Sequence, residues 1–151
     1  QRLFRPLGIR EIPDREMKSF GMDEVFGKNI SGWIKDPDGN STGGWGLTIT
    51  PRDMARFGFL YLNRGVWVDR QVVPKAWVDE STAMNANQYG YLWWLKGKEH
   101  TSAFAALGYG GNCIYCLPEK DLVVAIVSSL AAKIRDRWML LERCILPAVR
   151  E

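Results

Sequence analysis

The sequence has a single histidine, His100, in 151 residues. It contains no H-E-x-x-H or G-x-x-x-x-G-K-[ST] pattern, and its one G-x-S-x-G match, Gly39-Asn40-Ser41-Thr42-Gly43, lies in the turn-rich stretch DPDGNSTGG at 36–44. The signatures of a zinc peptidase and a phosphate-binding loop are thus missing, and the G-x-S-x-G match lacks the strand-to-helix turn that a nucleophile elbow needs. No serine or cysteine is assigned to His100 by spacing, so it reads as a surface or packing residue. Long apolar runs are missing too. The longest, LVVAIV at 122–127, is far too short to span a bilayer. The opening QRLFRPLGIR lacks the apolar core of a signal peptide, which leaves the compartment open. Charge of one sign is never concentrated. The net charge of +3 is spread along the chain without a block of five or six like charges, which sets nucleic acid aside as a partner.

Cysteine is sparse, and its one suggestive spacing is Cys113-x-x-Cys116. A redox pair or half a zinc site is the chemical alternative. On a strand, however, residues three apart point to opposite faces with Cα atoms about 10 Å apart, whereas a disulfide needs them within about 7 Å. No second C-x-x-C or C/H pair completes a tetrahedron. Packing is therefore the expected role of these thiols, and no metal or cofactor is expected.

What the chain does have is one domain's length, 46% hydrophobic and 25% charged residues, and ordinary globular patterning. The first thirty residues, broken by Pro6, Gly8, Pro13, Gly21 and Gly27, read as loop with short helical pieces. The best helix signal follows LTIT. Thr50 is a plausible N-cap, Pro51 fits the first turn, Asp53 stands three after the cap, and Gly65 ends the element. Met54, Phe57, Leu60 and Tyr61 recur at helical spacing, with Phe59 and Leu62 widening a face expected to be well buried. A shorter helix is expected over about 74–81, on which adjacent Asp79 and Glu80 diverge as a solvated pair. YGYLWWL at 89–95 reads as a buried strand. Two more strands, 112–117 and 122–128, are joined by a tight turn at Pro118–Asp121, and the apolar run 122–127 implies cover on both sides. Ile134, Trp138, Leu141 and Ile145 stripe a last helix ending near Pro147. The expected class is α/β (α+β), an antiparallel sheet with packed helices.

The most unusual local feature is GYGGN at 108–112, a glycine knot at the mouth of a strand. Glycines there permit positive φ or close approach of another group to the backbone. A bulge or tight turn accounts for the pattern. So does an unhindered backbone N–H, that of Asn112, presented to a negative oxygen as in acyl-transfer enzymes. A dinucleotide site is excluded, because a strand follows where a helix N-terminus is needed.

Five stretches in order carry a family likeness: LFRPLGI (3–9), GGWGLTITPRDMARFGFLYLNRG (43–65), VVPKAWVDEST (72–82), YGYLWW (89–94) and GYGGNCIYCLPEKDLVVAIVSS (108–129). Together they resemble the C-terminal half of the serine β-lactamase-like family, which includes class C β-lactamases, penicillin-binding proteins and related esterases and peptidases. Residues 13–32 look like an insertion. The family works with a nucleophilic serine in S-x-x-K, a Y-x-N or S-x-N loop, and a K-x-G or H-x-G strand. GYGGN resembles the third. The resemblance implies that Tyr109 takes the Lys/His place, Gly111 the glycine place and Asn112 the oxyanion donor, with Gly110 and Tyr109 lining the substrate cleft. Trp45, Trp93 and Trp94 are further cleft candidates, for which core packing is the stronger reading.

Two departures follow. S-x-x-K is absent; Ser129 precedes Lys133 by four residues rather than three. Tyr61-Leu62-Asn63 matches Y-x-N but lies inside the expected helix. The chain is thus expected to be one partial domain, the C-terminal portion of a serine hydrolase, inactive without its nucleophile. Its expected partners are the missing N-terminal half or another copy of itself. A non-catalytic binding module built on the same half-fold is the alternative. The second departure is Tyr109, neutral near pH 7, which favours ester or amide substrates over β-lactams. Aromatics at this place are known in the esterase-like members.

Overall fold

The computed structural model describes residues 2–17, 31–98, 101–128 and 136–149. Its centre is a five-stranded antiparallel sheet of β5 (Tyr89–Gly90), β6 (Trp93–Lys98), β7 (Thr101–Leu107), β8 (Cys113–Leu117) and β9 (Leu122–Ile126), in that spatial order. Two small pairs lie outside it. They are β1 (Asp14–Glu16) with β2 (Trp33–Lys35), parallel, and β3 (Val66–Trp67) with β4 (Arg70–Gln71), antiparallel.

Helix α1 (Pro51–Leu62) starts as its residues dictate. The Asp53 amide donates to Thr50 Oγ1 at 3.2 Å, and that hydroxyl donates to Asp53 Oδ2 at 2.7 Å, a reciprocal N-terminal cap. Arg56 Nη1 bridges Asp53 Oδ1 (3.0 Å) and the Gly8 carbonyl (2.9 Å), pinning the N-terminal segment to the helix. The helix packs on β8 and β9 through Gly58. A Cβ there would stand 2.7 Å from both Ile114 Cγ2 and Val123 Cγ1, so glycine sets the closeness of the contact. Phe59, expected on the buried face, is instead 44% exposed and meets Trp67 edge-on at 5.8 Å. The inward positions are Met54, Gly58, Leu60 and Tyr61, a narrower stripe. Helix α2 (Lys75–Thr82) follows Pro74 and carries a Lys75–Asp79 ion pair on its outer side.

Strand alternation divides the core in two. Trp93, Leu95, Phe104, Ile114 and Cys116 face α1 and the N-terminal segment with Phe4, Leu7 and Ile9. Ala103, Ala105, Cys113, Tyr115 and Leu117 face the C-terminal helical segment, where Leu141 is fully buried and Trp138 and Ile145 flank it. That segment runs as α3 (Arg137–Leu140), one wider turn over Leu141–Ile145 and a 3-10 turn containing Pro147. The expected stripe holds at Trp138, Leu141 and Ile145; Ile134 lies outside the described residues.

Two expectations change, and one strand is unforeseen. YGYLWWL is not one strand but a hairpin. Tyr89 pairs with Trp94 and Gly90 with Trp93 across Tyr91 and Leu92, both at positive φ (43° and 76°), the requirement of a type I′ turn. Strand β7, TSAFAAL, carries little β-branched signal, yet it is central. Ala105 sits in register between Trp94 and Tyr115, so a small residue is what leaves room for two large rings. Finally, β9 does contribute to both clusters, Val123 and Ala125 to one and Leu122, Val124 and Ile126 to the other. As the last strand in the order it is only half-buried throughout. Among the described residues it has no partner beyond β8.

Candidate active-site turn

The glycine knot links β7 to β8. Leu107 pairs with Cys113, and the intervening residues make a tight turn at Tyr109–Gly111 that is not helical at Gly110 (φ 82°, ψ 0°). The Gly108 amide donates to the Asn112 carbonyl at 2.8 Å, and the Gly111 amide to the Gly108 carbonyl at 3.3 Å. Gly110 and Gly111 stand at φ 82° and 91°, in the region that glycine enters without steric cost. The glycines are thus required by backbone geometry, and Gly110 is buried while Tyr109 projects, 58% exposed.

Asn112 locks the turn with its side chain. Its Nδ2 donates to the Tyr109 carbonyl at 3.2 Å, and its Oδ1 accepts from the Ser128 amide at 2.9 Å. The carbonyl and the amide side chain of Asn112 are therefore both engaged in holding the loop to the strand ends.

Two residues that spacing did not single out complete the arrangement. Arg137 Nη2 donates to Ser128 Oγ at 2.8 Å. The same guanidinium lies against Gly111, where a Cβ would stand 2.8 Å from Nη2 and 3.0 Å from Nε. Gly111 therefore answers a second demand, room for a cation, in addition to its positive φ. Nothing in the local sequence signals that Arg137 reaches back across 26 positions. The half-buried guanidinium also faces Cys113 and Tyr115. Burial pushes the Cys113 thiol and Tyr115 phenol above their ordinary values, and Arg137 opposes both shifts. Cys116 is raised by burial alone. All three cysteines are free thiols, and Cys113 and Cys116 face opposite clusters. That geometry agrees with the packing role expected for Cys113 and Cys116 and sets the redox alternative aside, because neither thiol reaches the other.

The remaining candidates separate. Trp93 is core, stacked on Phe57 at 5.9 Å and touching Tyr61 at 4.8 Å. Trp94 lies on the other sheet face, half-exposed against Tyr89 at 4.9 Å, and Trp45 is 39% exposed in the 36–48 loop. His100, Ser129 and Lys133 lie outside the described residues. Among the described residues no cluster of three His, Cys, Asp or Glu is placed to hold a metal, and no helix is long and apolar enough to cross a membrane.

The family model for beta-lactamase matches residues 1–140. The chain belongs to the beta-lactamase family. Relatives agree with that placement. The chain is 27% identical over 116 residues to a 6-aminohexanoate-dimer hydrolase from Paenarthrobacter ureafaciens, covering 67% of this chain and 29% of that protein. It also superposes on the structure of a putative 6-aminohexanoate-dimer hydrolase from Bacillus anthracis with a TM-score of 0.65 at 25% identity, covering 78% of this chain and 32% of the other. The 151 residues thus span about a third of the length of these relatives. The antiparallel sheet with flanking helices is the beta-lactamase fold implied by the five ordered stretches, and the family is one of hydrolases.

Proposed function

We propose that these residues form the C-terminal portion of a serine hydrolase that cleaves ester or amide bonds. The observation that carries it is the 108–112 turn. It is a glycine-shaped, side-chain-locked loop with Tyr109 projecting from it, at the mouth of a central strand of a beta-lactamase-family sheet. In this reading the nucleophilic serine and its Lys or Tyr base belong to polypeptide outside the 151 residues, because S-x-x-K is absent from them. The serine oxygen attacks the carbonyl carbon as its proton passes to the base. The oxyanion is held by the Asn112 backbone N–H, and Tyr109, Gly110 and Gly111 wall the cleft. The protonated alcohol or amine leaves, and water then cleaves the acyl-enzyme. Tyr109 offers a hydroxyl and no fixed positive charge, which favours a substrate without a carboxylate at that point. The names of the two relatives make a linear amide such as the 6-aminohexanoate dimer the first substrate to try.

The 151 residues alone are then expected to be inert to a fluorophosphonate probe, and the full reading frame to be labelled at the serine of an S-x-x-K. Labelling of the isolated chain would sink this reading. A full reading frame without S-x-x-K would favour the non-catalytic binding module, the reading supported by the missing motif. The half-buried edge strand β9 supports a further part of the proposal, that the isolated chain self-associates or recruits the rest of its protein. Sedimentation as a monomer at all concentrations would remove that part.

A further inference from the structure

Away from the glycine turn, Arg2, Arg5, Pro6, Arg70 and Val72 line an open cavity of about 590 Å³. Three arginines therefore border one open depression with no carboxylate in the lining. Among the described residues none of the three makes an ion pair or a hydrogen bond. Elsewhere Arg56, Lys35 and Lys75 are each matched by an aspartate. Like charges held together without a counter-charge repel, and an anion between them removes that repulsion.

The backbones that bring them together are anchored. Arg5 begins the 3-10 turn Arg5–Leu7, framed by buried Phe4 and Leu7. Arg70 lies in β4, after which the Val72 and Val73 amides both donate to the Gly65 carbonyl (2.8 and 3.1 Å) and Val73 is buried. Such a frame fixes the points from which the Arg5 and Arg70 side chains extend.

We propose that Arg2, Arg5 and Arg70 form a binding site for an organic phosphate monoester. Three guanidinium forks offer more donors than one carboxylate has oxygens to accept. A phosphoryl group presents three acceptor oxygens and nearly two charges. The cavity is much larger than a phosphate and is of the size that takes small organic ligands, with Pro6 and Val72 as the apolar seat for the ester group. The proposal is independent of the hydrolase reading.

The test is a titration of the protein expressed from its full reading frame with phenyl phosphate and with inorganic phosphate, followed by calorimetry and by amide shifts at Leu7 and Val72. Saturable binding is expected, tighter for phenyl phosphate and weakened by added salt. Arg5→Gln and Arg70→Gln are each expected to weaken it about tenfold, the loss of one charge-assisted contact. Arg143→Gln, on the C-terminal helical segment, should leave it unchanged. Absence of saturation overturns the proposal, as does equal weakening by Arg143→Gln, which would mean diffuse charge attraction. Binding undiminished in both Arg5→Gln and Arg70→Gln overturns it as well. Because all three arginines are exposed, the variants should fold, and unchanged thermal midpoints serve as the control.

Discussion

Two of the turns with left-handed backbone at a strand end meet that demand in opposite ways. At 108–112 the positive φ values fall on Gly110 and Gly111, and the freed space is filled by the Arg137 guanidinium. At 91–92 they fall on Tyr91 and Leu92, residues that pay a steric penalty of about 1–2 kcal/mol each in that region. The second turn is held by what its side chains reach. The Tyr91 ring lies 4.9 Å from Trp77, and its hydroxyl donates to Glu80 Oε1 at 2.8 Å. One turn is thus shaped by backbone freedom, the other by contacts with α2 that outweigh local preference.

The largest effect expected from breaking this contrast is Gly111→Ala. Its Cβ combines a positive φ with a 2.8 Å approach to Arg137 Nη2. A loss of about 2–4 kcal/mol is expected, read as a fall in thermal midpoint of about 5–15 °C. A change within about 0.5 kcal/mol, the usual range for an innocuous surface substitution, would show that neither strain nor clash operates there.

The contact with Arg137 separates the two causes. In an Arg137→Ala background Gly111→Ala should cost about 1 kcal/mol less, a coupling measurable by a double-mutant cycle in urea. Strict additivity would mean that backbone strain alone makes glycine necessary.

In the other turn Leu92→Gly should do the reverse of Gly111→Ala. Leu92 is half-exposed, so relief of its φ outweighs the lost side chain and the added freedom of the unfolded chain. A gain of about 0.5–1 kcal/mol is expected. Destabilisation would place Leu92 in a contact that matters more than its strain.

The smallest effect concerns Tyr91. The hydrogen bond to Glu80, and then its charge, raise the phenol above its ordinary value. A raised folded value means that the contribution is whole below the ordinary phenol range near 10 and is lost as pH rises through the raised value. Glu80→Gln should return the Tyr91 titration toward the ordinary range in ultraviolet difference spectra. It should also flatten the alkaline decline of the thermal midpoint. An unmoved titration would mean that the pair does not persist in solution.

How far these features were legible follows from the same contrast. The α1 cap was legible because Thr50, Pro51 and Asp53 act within one turn of chain. The opposite-facing cysteines were legible because strand alternation is a fixed period. The glycine turn announced itself through residue types that tolerate positive φ. The 91–92 hairpin did not, because Tyr and Leu there look like strand residues, and only Trp77 and Glu80 on another element make the turn tolerable. Strand β7 was hidden for a related reason. Its alanines are chosen by Trp94 and Tyr115 on neighbouring strands rather than by strand propensity. Phe59 stays exposed against the expectation because helical spacing locates a face without saying how wide the covering surface is.

By itself, then, the sequence determined the elements whose causes are local: the cap, the strand alternation, the glycine turn and the ordered stretches that mark the beta-lactamase family. Only the tertiary structure decided which large side chains lie inside, where a second hairpin replaces a strand, and that Arg137 and Ser128 brace the turn. Those outcomes depend on contacts between residues far apart in the chain, and pairings of that kind leave no periodic or compositional trace along it.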